Sequence, residues 1–326
     1  MLTAVVGEPS SLFDRRFLLN ALLPILITLS LLSAVIISTL TDPAGMLREW
    51  NNLDATLRVL AGTGMVTVSV VLAAVVSGRS QSLIRCYEGL WPGRLGDALM
   101  LPGRRRHRRR ARRLGFDRAA SDYPADPRDI MPTRLGNILR AAESYPHERY
   151  GLDAVVTWPR LFPLLPDGLT TALAAARAEI EFHLTISALA SFFAVGAGGW
   201  LAAVNGPTWL FLSCYWAGAA CAWLTYRGAL APARLYGEHV RVAFDLYRQE
   251  LLTHLGIEGD EREQWARLNQ FWYRNIPMDT PLLPEPEDPE DPEDDVPEVP
   301  SWPAIPPQLL TWALIISSGL LVGWLR

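Results

Sequence analysis

The chain has 326 residues, half of them apolar and 20% charged, with a formal net charge of −4. That mixture suits several membrane spans plus a water-exposed part of moderate size. All 30 basic residues are arginines, which excludes a Schiff-base lysine and a phosphate-loop lysine.

Residues 1–16 are a polar lead ending in Arg15 and Arg16. Residues 17–40 are uncharged and apolar. The run outlasts the ~7–15-residue apolar core of a cleaved signal and predicts an uncleaved first span. Residues 41–58 read as a short loop. Residues 59–78 are the second expected span, where Ala73 with Ser77 and Ala74 with Gly78 have the small-xxx-small spacing that admits a neighbouring helix. This helix is expected to run on past Glu88 to Pro92.

Residues 103–118 hold nine arginines. The run predicts a disordered juxtamembrane loop that fixes topology. Arg104, Arg105, Arg106, Arg108, Arg109, Arg110, Arg112 and Arg113 are candidate contacts to anionic lipid headgroups, each contributing about 1 kcal/mol near the surface. Nucleic-acid binding is disfavoured, because no aromatic residue is interleaved in the run and no recognition motif accompanies it.

Residues 131–166 are the densest segment outside the spans. Thr133 is placed to cap a helix, and Leu135, Ile138, Leu139 and Ala142 form one apolar face. Pro146 is expected to end that helix, and Pro159 to close a second apolar run over 152–158. Tyr145, Tyr150, Trp158 and Phe162 are aromatic anchors. Arg149, Asp153, Trp158 and Arg160 form a candidate interaction or anion site, a structural salt bridge being the ordinary alternative.

Asp167 opens a long helix whose uncharged part, 184–204, is the third expected span. Gly196, Gly198 and Gly199 in it are candidates for helix packing or pore lining. After an Asn205-Gly206-Pro207 turn, 208–226 is the fourth span, with Trp209, Trp223 and Tyr226 near its ends. Cys214 and Cys221 share a face there as small packing residues. The helix is expected to continue, kinked at Pro232, to about Leu255. Val240, Ala243, Phe244, Tyr247 and Leu251 form its apolar stripe, and Arg234, Glu238, Arg241, Asp245 and Arg248 an opposite charged one. The apolar stripe needs a partner, and 131–166 is the obvious one. Asp260 with Glu263 starts a further helix bearing Trp265, Leu268 and Trp272 on one face. Residues 281–308 are an acidic, proline-rich linker, and 309–325 a fifth span with Gly319 and Gly323 in GxxxG spacing.

PTRLGNILRAAE followed by RYGLDAVVTWPRL resembles a segment of uncharacterised bacterial multi-pass membrane proteins, and SLIRCYEGLWP at 82–92 is similar to what precedes it in that group. The resemblance covers about the second through fourth spans. It implies an architecture and no activity. The all-arginine usage also fits a GC-rich bacterial genome.

The expected fold is therefore an all-α integral membrane protein of about five transmembrane helices, several extended into a cytoplasmic helical domain. Arginine placement puts the N-terminus, 79–183 and 227–308 in the cytoplasm of a bacterial plasma membrane. The two longer cytoplasmic parts differ in sign: 18 arginines against 12 acids over 79–183, and 7 against 17 over 227–308. The acidic linker could latch on to the arginine run, or both could be solvated. Glu179 with His183, and Glu250 with His254, read as surface ion pairs rather than a shared metal site. No metal or cofactor is expected. The functional expectation is a non-enzymatic homo-oligomer, pore-forming or not, that senses or binds something in the cytoplasm. The alternatives are an adaptor for a cytoplasmic protein partner and, further off, a membrane enzyme.

Overall fold

The computed structural model describes residues 17–40, 43–114 and 122–282. The lead 1–16, most of the acidic linker, the expected fifth span with Gly319 and Gly323, and Arg118 lie outside them. The chain divides into two compact units, Met1–Thr280 and Pro281–Arg326, and the account below concerns the first. Its described residues contain helices and turns and no strand.

A π-helical turn, Leu18–Leu22, leads into α1 (Leu23–Ser38). The segment expected as a loop carries a helix, α2 (Pro43–Asn52). Asp54 then caps α3 (Ala55–Gly78), accepting from the Thr56 N–H at 3.3 Å, so the second apolar helix starts four residues before its uncharged stretch. Arg79, at φ −107° and ψ 14°, interrupts the helix, and α4 (Ser80–Glu88) follows, ended by Gly89 in the left-handed region at φ 92°.

α5 (Arg94–Leu114) replaces the disordered loop expected at 103–118 up to residue 114. Arginine is a good helix former, and Pro102 interrupts the α5 hydrogen bonds without ending it. α6 (Arg134–Tyr150) is capped by Thr133, whose hydroxyl accepts from the Gly136 N–H at 3.0 Å. Pro146 does not end α6, and Pro159 lies inside α7 (Ala154–Leu161). Pro146 is buried in the fold, and the actual stop is Gly151, left-handed at φ 72°, whose N–H bonds to the His147 carbonyl.

α8 (Asp167–Ala203) and α9 (Thr208–His254) are the long continuous helices expected, joined by a turn in which Asn205 takes φ 52°. Pro232 is accommodated inside α9. α10 (Glu261–Arg274) starts as its capping pattern predicts, Asp260 accepting from the Glu263 N–H at 3.1 Å.

Three helical stretches are long and apolar enough to cross a membrane: Leu18–Ser38, Ala55–Gly78 and Asp167–Ala203. The stretch 208–226 is not among them, because its Trp, Tyr and Gly residues dilute its hydropathy. α8 and α9 pair along a seam of small residues. A methyl on Gly218 would lie 2.8 Å from the Ala194 Cβ, a distance that only glycine permits. Gly196 and Gly198 face Leu32 and Phe211, Gly199 opens on free space, and the helix stays regular through all three. Cys221 is exposed on α9, contrary to the interior role expected for it, while Cys214 is half-buried.

Beyond the apolar stretches the same two helices carry a second core. Val240, Ala243, Phe244 and Leu251 of α9 are buried against Leu135, Ile138, Trp158 and Leu161, with Trp265 and Leu268 of α10 closing the end. The partner expected for the α9 stripe is therefore the one it has. Trp158 and Phe244 meet with ring centroids 5.7 Å apart. Phe244→Ala should destabilise this domain by about 3–5 kcal/mol, as loss of a fully buried aromatic does. Leu246→Ala, at a position 66% exposed, should leave it nearly unchanged. Denaturant unfolding of the full chain in detergent, followed by tryptophan fluorescence, makes the comparison, and equal effects would contradict this core.

Candidate functional site

The four residues expected to form one site at 149–160 do not converge. Asp153 caps α7, accepting from the Val155 and Val156 N–H groups at 2.8 and 3.2 Å, and the Tyr273 hydroxyl donates to it at 3.1 Å. Trp158 is in the core. Arg160 stacks on Trp272 at 4.3 Å, and Arg149 is exposed. These are the roles of a structural junction, not of an anion site.

The charged stripe of α9 is likewise not a solvated face. Asp245 accepts from the Tyr145 hydroxyl at 3.0 Å and the Tyr150 hydroxyl at 2.7 Å. Arg248 lies 4.0 Å over the Tyr150 ring and bonds Glu261 at 2.7 Å. Burial, then the neighbouring Asp245 carboxylate, pushes the Tyr145 hydroxyl up to about 12. At the other end Arg234 and Arg134 both grip Asp122, at 2.6 and 3.2 Å. Burial alone would raise the Asp122 pKa, but the bonds from Arg234 and Arg134 outweigh it and hold the carboxyl below the usual range. The expected His pairs do not form. His254 Nδ1 lies 2.9 Å from the Glu250 backbone carbonyl, and buried His183 Nδ1 has no partner.

A polar cleft of about 460 Å³ lies where α4, α5 and α6 meet. Gln81, Arg85 and Glu88 fall at i, i+4 and i+7 on one face of α4 and form one wall. Leu139, Arg140 and Glu143 of α6 form the other, Tyr236 and Val240 of α9 the floor, and Arg104 of α5 with Arg128 and Asp129 an edge. Two close approaches hold it. A methyl on Gly136 would lie 2.3 Å from the Glu88 carbonyl oxygen, so only glycine lets the end of α4 abut the first turn of α6. The Thr133 hydroxyl donates to that same carbonyl at 2.9 Å. Gly103 lets α5 cross the strap at Pro132, where a methyl would lie 2.7 Å from the Pro132 carbonyl oxygen.

The strap, 122–132, is fixed by buried Asn137. Its amide oxygen accepts from the Met131 N–H at 2.9 Å, and its NH₂ donates to the Met131 and Thr133 carbonyls at 2.8 and 2.6 Å. α5 is pinned to the strap by His107, 3.0 Å from the Tyr123 hydroxyl, and by Arg108, which donates to the Pro127 carbonyl at 3.1 Å.

Within the cleft Arg140 bonds Asp129 at 2.6 Å and Glu143 at 3.2 Å, one cation shared between two carboxylates. Burial raises the pKa of Glu88. Arg104 turns its Nε inward, buried and without a hydrogen bond. Arg104 is thus misplaced as a pure headgroup contact, while Arg105, Arg106, Arg109, Arg110, Arg112 and Arg113 remain exposed on α5. Sequence reasoning named neither Glu88 nor Arg85 as site residues, although their spacing with Gln81 was a readable signal. A second cavity, apolar and about 740 Å³, lies between α1 and the α8–α9 pair, lined by Leu23, Ile27, Phe182 and Phe193. Among the described residues no group of three or more His, Cys, Asp or Glu side chains is placed to hold a metal ion.

Fold and cleft together define an all-helical protein with three helices apolar enough for a bilayer and a polar cleft beside them. No family model, no curated protein and no solved structure matches the chain.

The α5 clamp is acid-sensitive. Burial, then Arg106 and Arg110, lowers the His107 pKa from 6.5 to about 4. The unfolded segment therefore binds a proton that the docked one does not, between about pH 6.5 and about pH 4. Clamp stability is complete above that window and falls as pH drops through it. Hydrogen exchange of α5, corrected for intrinsic rate, should speed up across this window in the wild type and much less in His107→Phe. A pH-independent wild type would contradict the clamp.

Proposed function

We propose that the chain is a non-enzymatic multi-pass membrane protein whose cytoplasmic helical domain is an interaction or sensing module coupled rigidly to its spans. One observation carries the reading: α8 and α9 run without a break from the apolar seam at Ala194 and Gly218 into the core around Phe244. A displacement of α6, α7 or α10 must therefore move the ends of both helices. Five spans, with 208–226 and 309–325 as the remaining two, a cytoplasmic N-terminus, a bacterial plasma membrane and kinship with the uncharacterised bacterial group belong to the same proposal. The exposed arginines of α5 rest on anionic headgroups. α3 is apolar and exposed nearly all round, with open space at Gly62 and Gly64, and offers a surface through which copies pair.

The regular helix through Gly196 to Gly199 and the absence of charged residues from 18–38, 59–78 and 184–203 favour this module over a pore. In the chain with Cys214 and Cys221 replaced by alanine, Cys86 should react with a membrane-impermeant maleimide in inverted vesicles and not in intact cells. The purified chain should be a monomer or dimer by detergent-corrected mass, with no ion flux above that of empty liposomes. Labelling from the outside would reverse the topology, and a conducting ring of four or more subunits would replace the module with a channel.

A further inference from the structure

We propose that the groove between α1 and the α8–α9 pair binds one membrane lipid with a primary-ammonium headgroup, a phosphatidylethanolamine. Its acyl chain lies in the groove and its ammonium meets Glu179. The inference rests on the membrane reading and adds a ligand to it. The first argument is shape. The cavity holds about 740 Å³, a size that suits a small-molecule ligand. Leu23, Ile27, Phe182 and Phe193 wall it, and the small residues Ala217 and Gly218 of α9 leave its floor recessed. From Asn20 to Leu31 the α1 wall is about 17 Å long. The hydrocarbon of one leaflet is about 15 Å deep. The groove therefore has the length of an acyl chain entering from one side. A spanning helix, at about 30 Å, would leave half of itself outside it.

The second argument is the order of polarity along the groove. Two contacts fix the register of α1 on α8: Trp200 donates to the Thr39 hydroxyl at 3.0 Å, and Gly196 faces Leu32. The two helices therefore run parallel, and counting back from these pairs sets Asn20 level with 181–184 of α8. Glu179 is then about 3–8 Å further out. It also lies about 7 Å before the uncharged stretch that begins at Leu184. That is the depth of a headgroup layer, about 5–8 Å thick. From its deep end outwards the groove offers apolar walls, then an amide, then a carboxylate. A phospholipid presents a chain, then ester carbonyls, then its headgroup amine, in the same order.

The third argument is that these polar groups are accessible and uncommitted. Glu179 is the one carboxylate of the lining and is exposed, and Asn20 is half-buried. Among the described residues no side-chain hydrogen bond or ion pair engages either of them. The nearest cation on the same helix, Arg177, is held by Glu181 at 3.0 Å. A primary ammonium brings three N–H donors to a carboxylate, in charge-assisted hydrogen bonds. A trimethylated ammonium brings the same charge and no donor. The Asn20 amide, one level deeper, can donate to an ester carbonyl.

The test is native mass spectrometry of the full chain, released from detergent micelles that hold phosphatidylethanolamine and phosphatidylcholine of identical chains in equal amounts. The two lipids share their charge and their phosphodiester and differ in N–H donors. The wild type should retain one phosphatidylethanolamine in about 10-fold preference. Glu179→Gln should bring the ratio close to one. Glu238→Gln, on an exposed carboxylate of α9 outside the groove, should leave it unchanged. Ala217→Phe, which fills the floor, should lower retention of both lipids. Should that variant fail to fold, Ile27→Trp fills the same groove from α1 and should do likewise. Equal retention of the two lipids, a preference that survives Glu179→Gln, or retention untouched by filling the groove overturns the proposal. So does retention of no lipid, the result expected of a groove covered by a protein helix. The ratio is read in detergent, whichever side of the membrane Cys86 labels from, so failure of the site and failure of the topology are told apart.

Discussion

The close approach of α8 and α9 is the constraint on which the rest depends. Between apolar helices in a bilayer there is little hydrophobic gain from association, so van der Waals contact must supply it, and contact requires small residues at the seam. Ala190, Ala194 and Gly218 meet that condition, and the buried Ala197, Ala229 and Ala233 extend it along the pair. Beyond the small-residue seam the same pair packs against α6 and α7, with Trp158, Leu161 and Ile138 against Phe244 and Val240. One pair of helices thus carries a small-residue seam along one part of its length and a larger mixed core along the other.

The charged residues around this second core follow from the same geometry. A helix that buries one face in water normally leaves its opposite face solvated. α9 does so only in part: α6 lies beside its stripe, α10 meets its far end and Asp122 of the strap its near end, while Glu238 stays exposed. Asp245 is consequently drawn in by two tyrosine hydroxyls, Arg248 by Glu261, and Arg234 by Asp122. These contacts are partly buried and hydrogen-bonded rather than loose surface pairs, and they fix the rotation of α6 about α9.

The long elements were legible from periodicity. The caps at Thr133 and Asp260, the unbroken α8 and α9, and the pairing of the α9 stripe with 131–166 each follow from one local pattern repeated over many residues. What was not legible depends on tertiary contact. Pro146 and Pro159 were read as breakers because the cost of a lost backbone bond is visible in sequence, whereas the packing that outweighs it is not. α5 was read as disordered from its charge. The contacts that order it, Gly103 on Pro132 and His107 on Tyr123, join it to a strap that holds only a short 3₁₀ turn, Pro127–Asp129. The site at 149–160 failed for a related reason. Nearness in sequence is not convergence: about two turns of helix send Asp153 to a cap, Trp158 to the core and Arg160 to α10.

The cleft is a product of those unreadable contacts. Gly136 lets the end of α4 lie against α6, and Asn137, the next residue, ties down the strap that carries Asp129 into the cleft wall. Together they fix the opening between two helices that diverge from one point. The inner part is lined by Ile84, Val240 and Tyr236, which have little freedom, and the mouth by Arg85 on an exposed face of α4. Buried apolar side chains therefore set the shape of its inner part, while charge sits at its more exposed edge.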